Sequence, residues 1–435
     1  MLALHYWQAL GPDARRALLC RPAPADPAGL EATVAAIVAD VRARGDAALA
    51  DYTLRFDGVV PRPLAVGPEE FAAAEAALKP AAHAAIERAI EHVRRFHEPQ
   101  RLAPLSVEIA PGVRCERIEV PIDCVGLYVP AGSAPLPSSA IMTAVPAAIA
   151  GCRVRVLCTP PRADGRADAA VLVAARRAGV TRVYKAGGAQ AIAALAYGTA
   201  TIPKVDKIFG PGNAYVTAAK LLCARDPEGA ALDLPAGPSE VLVIADESAD
   251  ARFVAADLLA QAEHDRSSQV LLVTTSAALA TAVVAEVVLQ QAALSRRAIT
   301  AEALAAGRVI VVDDLDTAFD VSNAYAPEHL ILAIAAPRAW LPRVTAAGSV
   351  FLGHWSPESV GDYCSGANHV LPTHGYARAY SGLSVGDFMR RITVQELTPA
   401  GLRDLGPTAT TLAALEGLDA HAHAVDVRLR SLESR

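Results

Sequence analysis

From residue 124 onward the chain alternates short apolar runs with stretches of helical spacing, and this alternation restricts the fold more than any other feature. Runs at 124–129, 154–158, 182–185 and 207–209 are separated by helical stretches near 138–150, 167–178, 188–197 and 213–224. Strands that are apolar throughout, each followed by a helix, are what a parallel sheet covered on both faces requires, so βαβ units are expected. A second series begins after Asp233-Leu-Pro-Ala-Gly-Pro-Ser239, with strands near 241–245, 269–274, 309–312, 329–334 and 349–352. Two series predict two Rossmann-like α/β domains facing each other across a cleft. The length of 435 residues agrees, since it exceeds what one typical core organises.

The flanks complete the expected organisation. Residues 1–27, with Pro22, Pro24 and Pro27, read as an N-terminal arm, and 28–97 has the apolar spacing and Ala/Glu/Arg content of helices. The first α/β domain is expected to comprise 28–127 and 238–383, with 128–237 inserted as the second. Beyond 384 the pattern predicts no strand: residues 388–432 read as helices separated by turns. This tail, 384–435, is too small to hold its own core and is expected to dock on another body such as a second subunit.

Charge and cysteine content remove several classes of function. A net charge of −6 gives no electrostatic footprint for nucleic acid or an anionic membrane, which leaves a small-molecule substrate. The start, Met1-Leu-Ala-Leu-His-Tyr-Trp7, lacks the basic opening and cleavage site of a signal peptide, and the apolar stretch 140–152 is too short to span a bilayer. The seven cysteines, at 20, 115, 124, 152, 158, 223 and 364, are odd in number and show no Cys-x-x-Cys spacing. Neither a disulfide framework nor a thiolate zinc site is indicated, and a cytoplasmic location is expected.

Four polar stations stand out in the last 175 residues: Gln261-Ala-Glu-His264, Pro327-Glu328-His329, Gly361-Asp362-Tyr363 and Glu416-Gly-Leu-Asp-Ala-His421. Each alone is a common surface or satisfied core group. Together they offer ligands for a borderline divalent metal in His264, Asp362 and His421, with Gln261 three residues before His264 and so on the same helix face. Glu328 and His329 are an acid/base pair whose adjacent side chains can serve two different steps. A solvated strand-entry turn is the competing reading of that dipeptide.

Glycines punctuate the predicted strand ends at Gly126-Leu-Tyr-Val-Pro-Ala-Gly132, Ala186-Gly-Gly-Ala-Gln190 and Phe209-Gly-Pro-Gly-Asn213. Ligands of open parallel sheets lie beyond such ends, although the Gly-x-Gly-x-x-Gly fingerprint of most dinucleotide-binding sheets is absent.

The strings Leu-Leu-Ala-Gln-Ala-Glu-His264, Ala326-Pro-Glu-His-Leu330, Gly361-Asp-Tyr-Cys-Ser-Gly-Ala-Asn-His-Val-Leu-Pro-Thr373 and Gly210-Pro-Gly-Asn-Ala-Tyr-Val216 resemble those of the histidinol dehydrogenases, and the resemblance runs through nearly the whole chain. It implies an aldehyde-dehydrogenase-like fold with a helical C-terminal tail. The implied reaction is NAD-dependent oxidation of L-histidinol to L-histidine through bound L-histidinal, the last two steps of histidine biosynthesis. By the same resemblance Glu328 and His329 are catalytic, and Tyr128, Gln190 and Asn213 contact NAD. One zinc ion per subunit is held by Gln261, His264, Asp362 and His421, a mixed nitrogen/oxygen set in which Mn²⁺ or Co²⁺ can replace it. Ser239, His369 and Glu416 join Gln261, His264, His329, Asp362 and His421 around the substrate. The tail is expected to cross to the partner of a homodimer and complete its site. One departure is Ala131, where the family usually has a second glycine.

Three rivals stay open at this level. A cysteine-nucleophile dehydrogenase would share the fold, but none of Cys124, Cys158 and Cys364 adjoins a basic residue that would activate it. A related zinc and NAD enzyme acting on another polyol or amino alcohol could keep the metal and acid/base residues. A catalytically silent metal-binding or assembly protein would have no use for the Glu-His pair.

Overall fold

The computed structural model describes residues 2–22, 26–131, 134–235 and 237–433. Gly132, which closes the first glycine turn, lies outside the described residues, as do Pro24 and Ala236. The chain opens with β1 (Ala3–Tyr6) and α1 (Pro12–Leu19), then runs through α2 (Pro27–Arg44), α3 (Asp46–Asp57), α4 (Pro68–Ala77) and α5 (Pro80–His97). A hairpin follows, β2 (Leu105–Ala110) and β3 (Val113–Pro121). The first βα series is β4 (Cys124–Tyr128), α6 (Pro137–Ala150), β5 (Val154–Thr159), α7 (Ala169–Arg177), β6 (Arg182–Lys185), α8 (Gly188–Tyr197), β7 (Lys207–Phe209), α9 (Ala214–Arg225) and β8 (Ala231–Leu232). The second is β9 (Glu240–Ala245), α10 (Ala251–Ala262), β10 (Gln269–Thr274), α11 (Ala277–Gln291), α12 (Arg297–Ala305), β11 (Arg308–Val311), α13 (Leu315–Tyr325), β12 (His329–Ala333), α14 (Pro337–Trp340), β13 (Ser349–Leu352) and α15 (Glu358–Tyr363). The chain closes with β14 (Met389–Leu397), α16 (Pro399–Leu415) and α17 (Asp419–Glu433).

These elements form two compact units, residues 1–100 with 122–388 and residues 101–121 with 389–435. The first unit holds two parallel sheets, in the orders β1-β11-β10-β9-β12-β13 and β6-β5-β4-β7-β8. Both series read from the sequence are therefore present. Their strands are apolar throughout because both faces are covered: Val241, Val243 and Ala245 of β9 pack with Val254 and Leu258 of α10, while Leu242 and Ile244 pack with Phe319 and Tyr325 of α13. The segment read as an N-terminal arm also supplies an edge strand, with Ala3–Tyr6 registering against Arg308–Val311.

The second unit corrects the expectation that strands stop at 384. Met389–Leu397 forms β14, antiparallel to β3 along its full length, in a three-stranded sheet of order β14-β3-β2. The β-branched Ile392, Thr393 and Val394 favour an extended strand, but the deciding partner is remote in sequence, and such pairing leaves no local signature. Helices follow as expected: Thr398 caps α16 by accepting from the Gly401 N–H, and α16 packs on α17 where Gly406 leaves room for Val425 and Leu429. Ile109, Ile392, Val394, Leu415 and Leu418 are exposed in this chain. No helix among the described residues is long and apolar enough to cross a membrane, and all seven cysteines are free.

Candidate active site

The strand order of the five-stranded sheet reverses between β4 and β7, which opens a crevice beyond their carboxyl ends. Tyr128 ends β4 on one side of that crevice, and the turn 209–213 leaves β7 on the other. The Tyr128 hydroxyl accepts from the Gly188 N–H at 3.0 Å, joining the 186–190 turn to the same place. Gly210 sits at φ +118° against the backbone of Tyr128, where a side chain would collide with the Tyr128 carbonyl. The turn is strapped from below: Asp233 accepts from the Gly210 N–H at 2.8 Å, and Lys220 donates to the Gly210 carbonyl at 3.0 Å while pairing with Asp233. Asn213 caps α9 by accepting from the Tyr215 and Val216 N–H groups, both at 3.1 Å. Gln190 is buried and its Oε1 has no partner among the described residues, as is true of Thr159 Oγ1 at the end of β5. A buried amide with an unpaired oxygen, on a glycine turn tied to Tyr128, suits a polar cofactor.

The acid/base pair lies at the amino edge of the other sheet. His329 is the first residue of β12, in register with Val241 of β9, so Glu240 lies beside the pair. The Glu240 backbone holds both members. Its N–H donates to Glu328 Oε2 at 2.8 Å, and its carbonyl accepts from His329 Nδ1 at 3.0 Å. A carbonyl can only accept, so Nδ1 carries a proton and Nε2 is the nitrogen left for other partners. Nε2 is buried and faces Asp362 Oδ1 at 3.5 Å. Both side chains are buried, which removes the reading of this dipeptide as a solvated turn. The Glu240 carboxylate is anchored behind them by Arg21, whose guanidinium also stacks on Tyr325 at 3.9 Å.

Burial shapes the charge of this cluster. Desolvation pushes Glu328 up to about 8, only partly offset by His329. Glu358 is pushed up to about 8 for the same reason. Burial disfavours a charged His329 ring, but Glu358, Glu328 and Asp362 outweigh it and hold the imidazole well above its usual range. Burial likewise disfavours an ionised Asp362, yet its hydrogen bond and attraction to His329 prevail and hold it below the usual carboxylate value.

Gln261 is buried in the last turn of α10, and His264 follows in the turn beyond, with 40 % of its side chain accessible. His264 Nε2 lies 3.9 Å from Asp362 Oδ2. Ligand atoms of His264, Glu358 and Asp362 fall within 4.8 Å of one another, and an imidazole beside carboxylates and an amide is a donor set that fits a borderline divalent cation. His369 Nδ1 donates to the Asp362 carbonyl at 2.9 Å, and its Nε2 lies 3.3 Å from Ser139 Oγ in the first turn of α6. That imidazole thus links the acid/base cluster to the element following the Tyr128 turn. Ser239 is half-buried and immediately precedes β9. Glu416 and His421 belong to the second unit, where Glu416 ends α16, His421 lies in the first turn of α17, and both are exposed.

Three residues of this cluster escape the sequence reading: Glu240, Ser139 and Glu358. Only Glu358 carried a usable signal, since Pro357-Glu358 starts a helix on which Asp362 falls one turn later, on the same face.

Comparisons with known proteins give the chain a family. The family model described as histidinol dehydrogenase matches residues 21–429. Histidinol dehydrogenase of Xanthomonas oryzae pv. oryzae is 58% identical over 423 residues, covering 97% of this chain and 98% of the relative. That of Vibrio cholerae serotype O1 is 53% identical over 427 residues, 98% of each. The crystal structure of histidinol dehydrogenase from Elizabethkingia anophelis superposes with a TM-score of 0.95 at 44% identity, covering 99% of both chains. Matched in sequence and backbone over nearly its whole length, the chain belongs to the histidinol dehydrogenase family of oxidoreductases.

Proposed function

We propose that this chain oxidises L-histidinol to L-histidine through L-histidinal that stays bound, completing histidine biosynthesis. The observation that carries this reading is the joint anchoring of Glu328 and His329 on the Glu240 backbone, which makes buried Nε2 the His329 nitrogen that can exchange a proton with a substrate. In the first step His329 takes the hydroxyl proton as the carbinol carbon gives up a hydride, leaving the aldehyde. Water then adds to the aldehyde carbonyl and passes its proton to Glu328, whose raised affinity for protons suits a general base near neutral pH. Loss of a second hydride from the hydrate gives the acid.

NAD, when bound, supplies the hydride acceptor in both steps, and Tyr128, Gln190 and Asn213 are the residues that would hold it. A bound zinc-class ion supplies a Lewis acid that anchors substrate nitrogen and polarises its oxygen; Gln261, His264 and Asp362 would hold it together with His421. As a metal ligand, Asp362 would be withdrawn from the three carboxylates that keep His329 charged, which would favour the basic form of the ring. Ser239, His369 and Glu416 surround the substrate in this reading, with the Glu416 carboxylate pairing an amine or imidazole.

The tail completes the arrangement as that of an intertwined homodimer, each chain lending Glu416 and His421 to its partner. The exposed apolar residues of the second unit support this reading, since such residues call for a covering surface. Free thiols throughout suit a reducing cytoplasm. The test is NAD reduction with L-histidinol against a panel of polyols, before and after chelation. Turnover confined to L-histidinol and lost on chelation is expected; equal turnover of a simple polyol would overturn the substrate assignment.

A further inference from the structure

Glu358 is not among the ligands read from the sequence, yet it lies within hydrogen-bond reach of one of them, Gln261, and clusters with His264 and Asp362. Its side chain is buried at the start of α15, one helical turn before Asp362. The surrounding acceptors fix the orientation of the Gln261 amide: its nitrogen donates to Glu358 Oε1 at 2.9 Å and to the Glu240 carbonyl at 3.2 Å. An amide binds a cation through its oxygen, because the nitrogen lone pair is delocalised into the carbonyl. Left unconstrained, the Gln261 amide could turn over and present its NH₂ to the ion. Two acceptors on the nitrogen side remove that alternative.

We propose that Glu358 is a positioning residue for the metal site, holding the Gln261 amide by its nitrogen so that the oxygen is committed to the cation. This rests on the metal reading above. A carboxylate accepting from a ligand's far side is the usual way a protein orients a metal ligand, and loss of such a partner generally weakens binding by ~10- to 100-fold. The competing role is direct coordination, for which Glu358 Oε2, buried and without a hydrogen-bond partner among the described residues, would be the donor atom. The two roles differ in one respect: a positioning residue acts only through Gln261, whereas a direct ligand acts independently of it.

The experiment is a double-mutant cycle on metal affinity. Zn²⁺ and Co²⁺ dissociation constants are measured by chelator competition for the full-length wild-type protein, Glu358→Ala, Gln261→Ala and the double variant. Glu358→Met, which fills the volume but removes the acceptor, replaces the alanine change if that variant does not fold. The expected result is a ~10- to 100-fold loss for the Glu358 variant alone, with the double variant within ~2-fold of Gln261→Ala. Wild-type affinity in the Glu358 variant, or losses that multiply in the double variant, would overturn the positioning role. Absence of Zn²⁺ and Co²⁺ binding by the wild-type protein is a distinct result and would overturn the metal reading itself.

Discussion

One residue, Glu240, orients both Glu328 and His329 through its backbone N–H and C=O, so the two side chains share a support. If His329 serves the alcohol step and Glu328 the hydration step, His329→Asn should slow histidinol oxidation by ~10²- to 10⁴-fold, and Glu328→Gln should slow histidinal oxidation more than histidinol oxidation. Single-turnover rates of the two half-reactions measure this, and equal small losses in both would refute the division. A second residue-scale outcome concerns Asp257, one turn before Gln261 on α10, which burial pushes up to about 7. Its folded value lies above the unfolded one, so its contribution to stability is full below about pH 4 and is lost as pH rises through about 7. Asp257→Asn should therefore gain stability relative to wild type between pH 5 and pH 8 in thermal melts at matched metal content. A difference in Tm that stays constant with pH would show that Asp257 does not titrate in that window.

Among the elements, the turn between β7 and α9 is the most constrained, held by Asp233 and Lys220 and pressed against Tyr128. Gly210→Ala should cost about 1–3 kcal/mol of stability and weaken NAD binding, because a methyl at φ +118° both strains the backbone and displaces the Tyr128 carbonyl. Unaltered Tm and NAD affinity would contradict that account. The same scale shows what the sequence could convey. The strands of both parallel sheets other than the edge strands β1 and β8 were legible because double-sided burial leaves runs such as Val241–Ala245 continuously apolar. β14 was not, since all but its first residue are exposed in this chain and its pairing with β3 is set by a partner far along the sequence. Within the site, the Gln-His and Glu-His dipolar stations announce themselves by residue type and spacing. Glu358 is marked only by its place one helical turn before Asp362, and Glu240 contributes to the pair through backbone atoms, which no side-chain motif records.

For the whole molecule, the second unit poses the question of assembly. Exposed Ile109, Ile392, Val394 and Leu415 need a covering surface, and Glu416 and His421 need the residues they are proposed to serve. The proposed intertwined homodimer would answer both, with an expected interface above ~2,000 Å² as in obligate dimers. When inactive His421→Ala and His264→Ala proteins are unfolded together and refolded, mixed dimers should regain one intact site, since both lesions then fall in the other; no recovery in proven heterodimers would mean that each chain supplies its own His421. The central claim is that a single site carries the alcohol to the acid without releasing the aldehyde. Counting reduced NAD per L-histidinol consumed, in the presence of an aldehyde trap, tests it most directly. Two reduced cofactors per substrate with no trapped aldehyde is the predicted result, and one per substrate with the aldehyde recovered in the trap would contradict it.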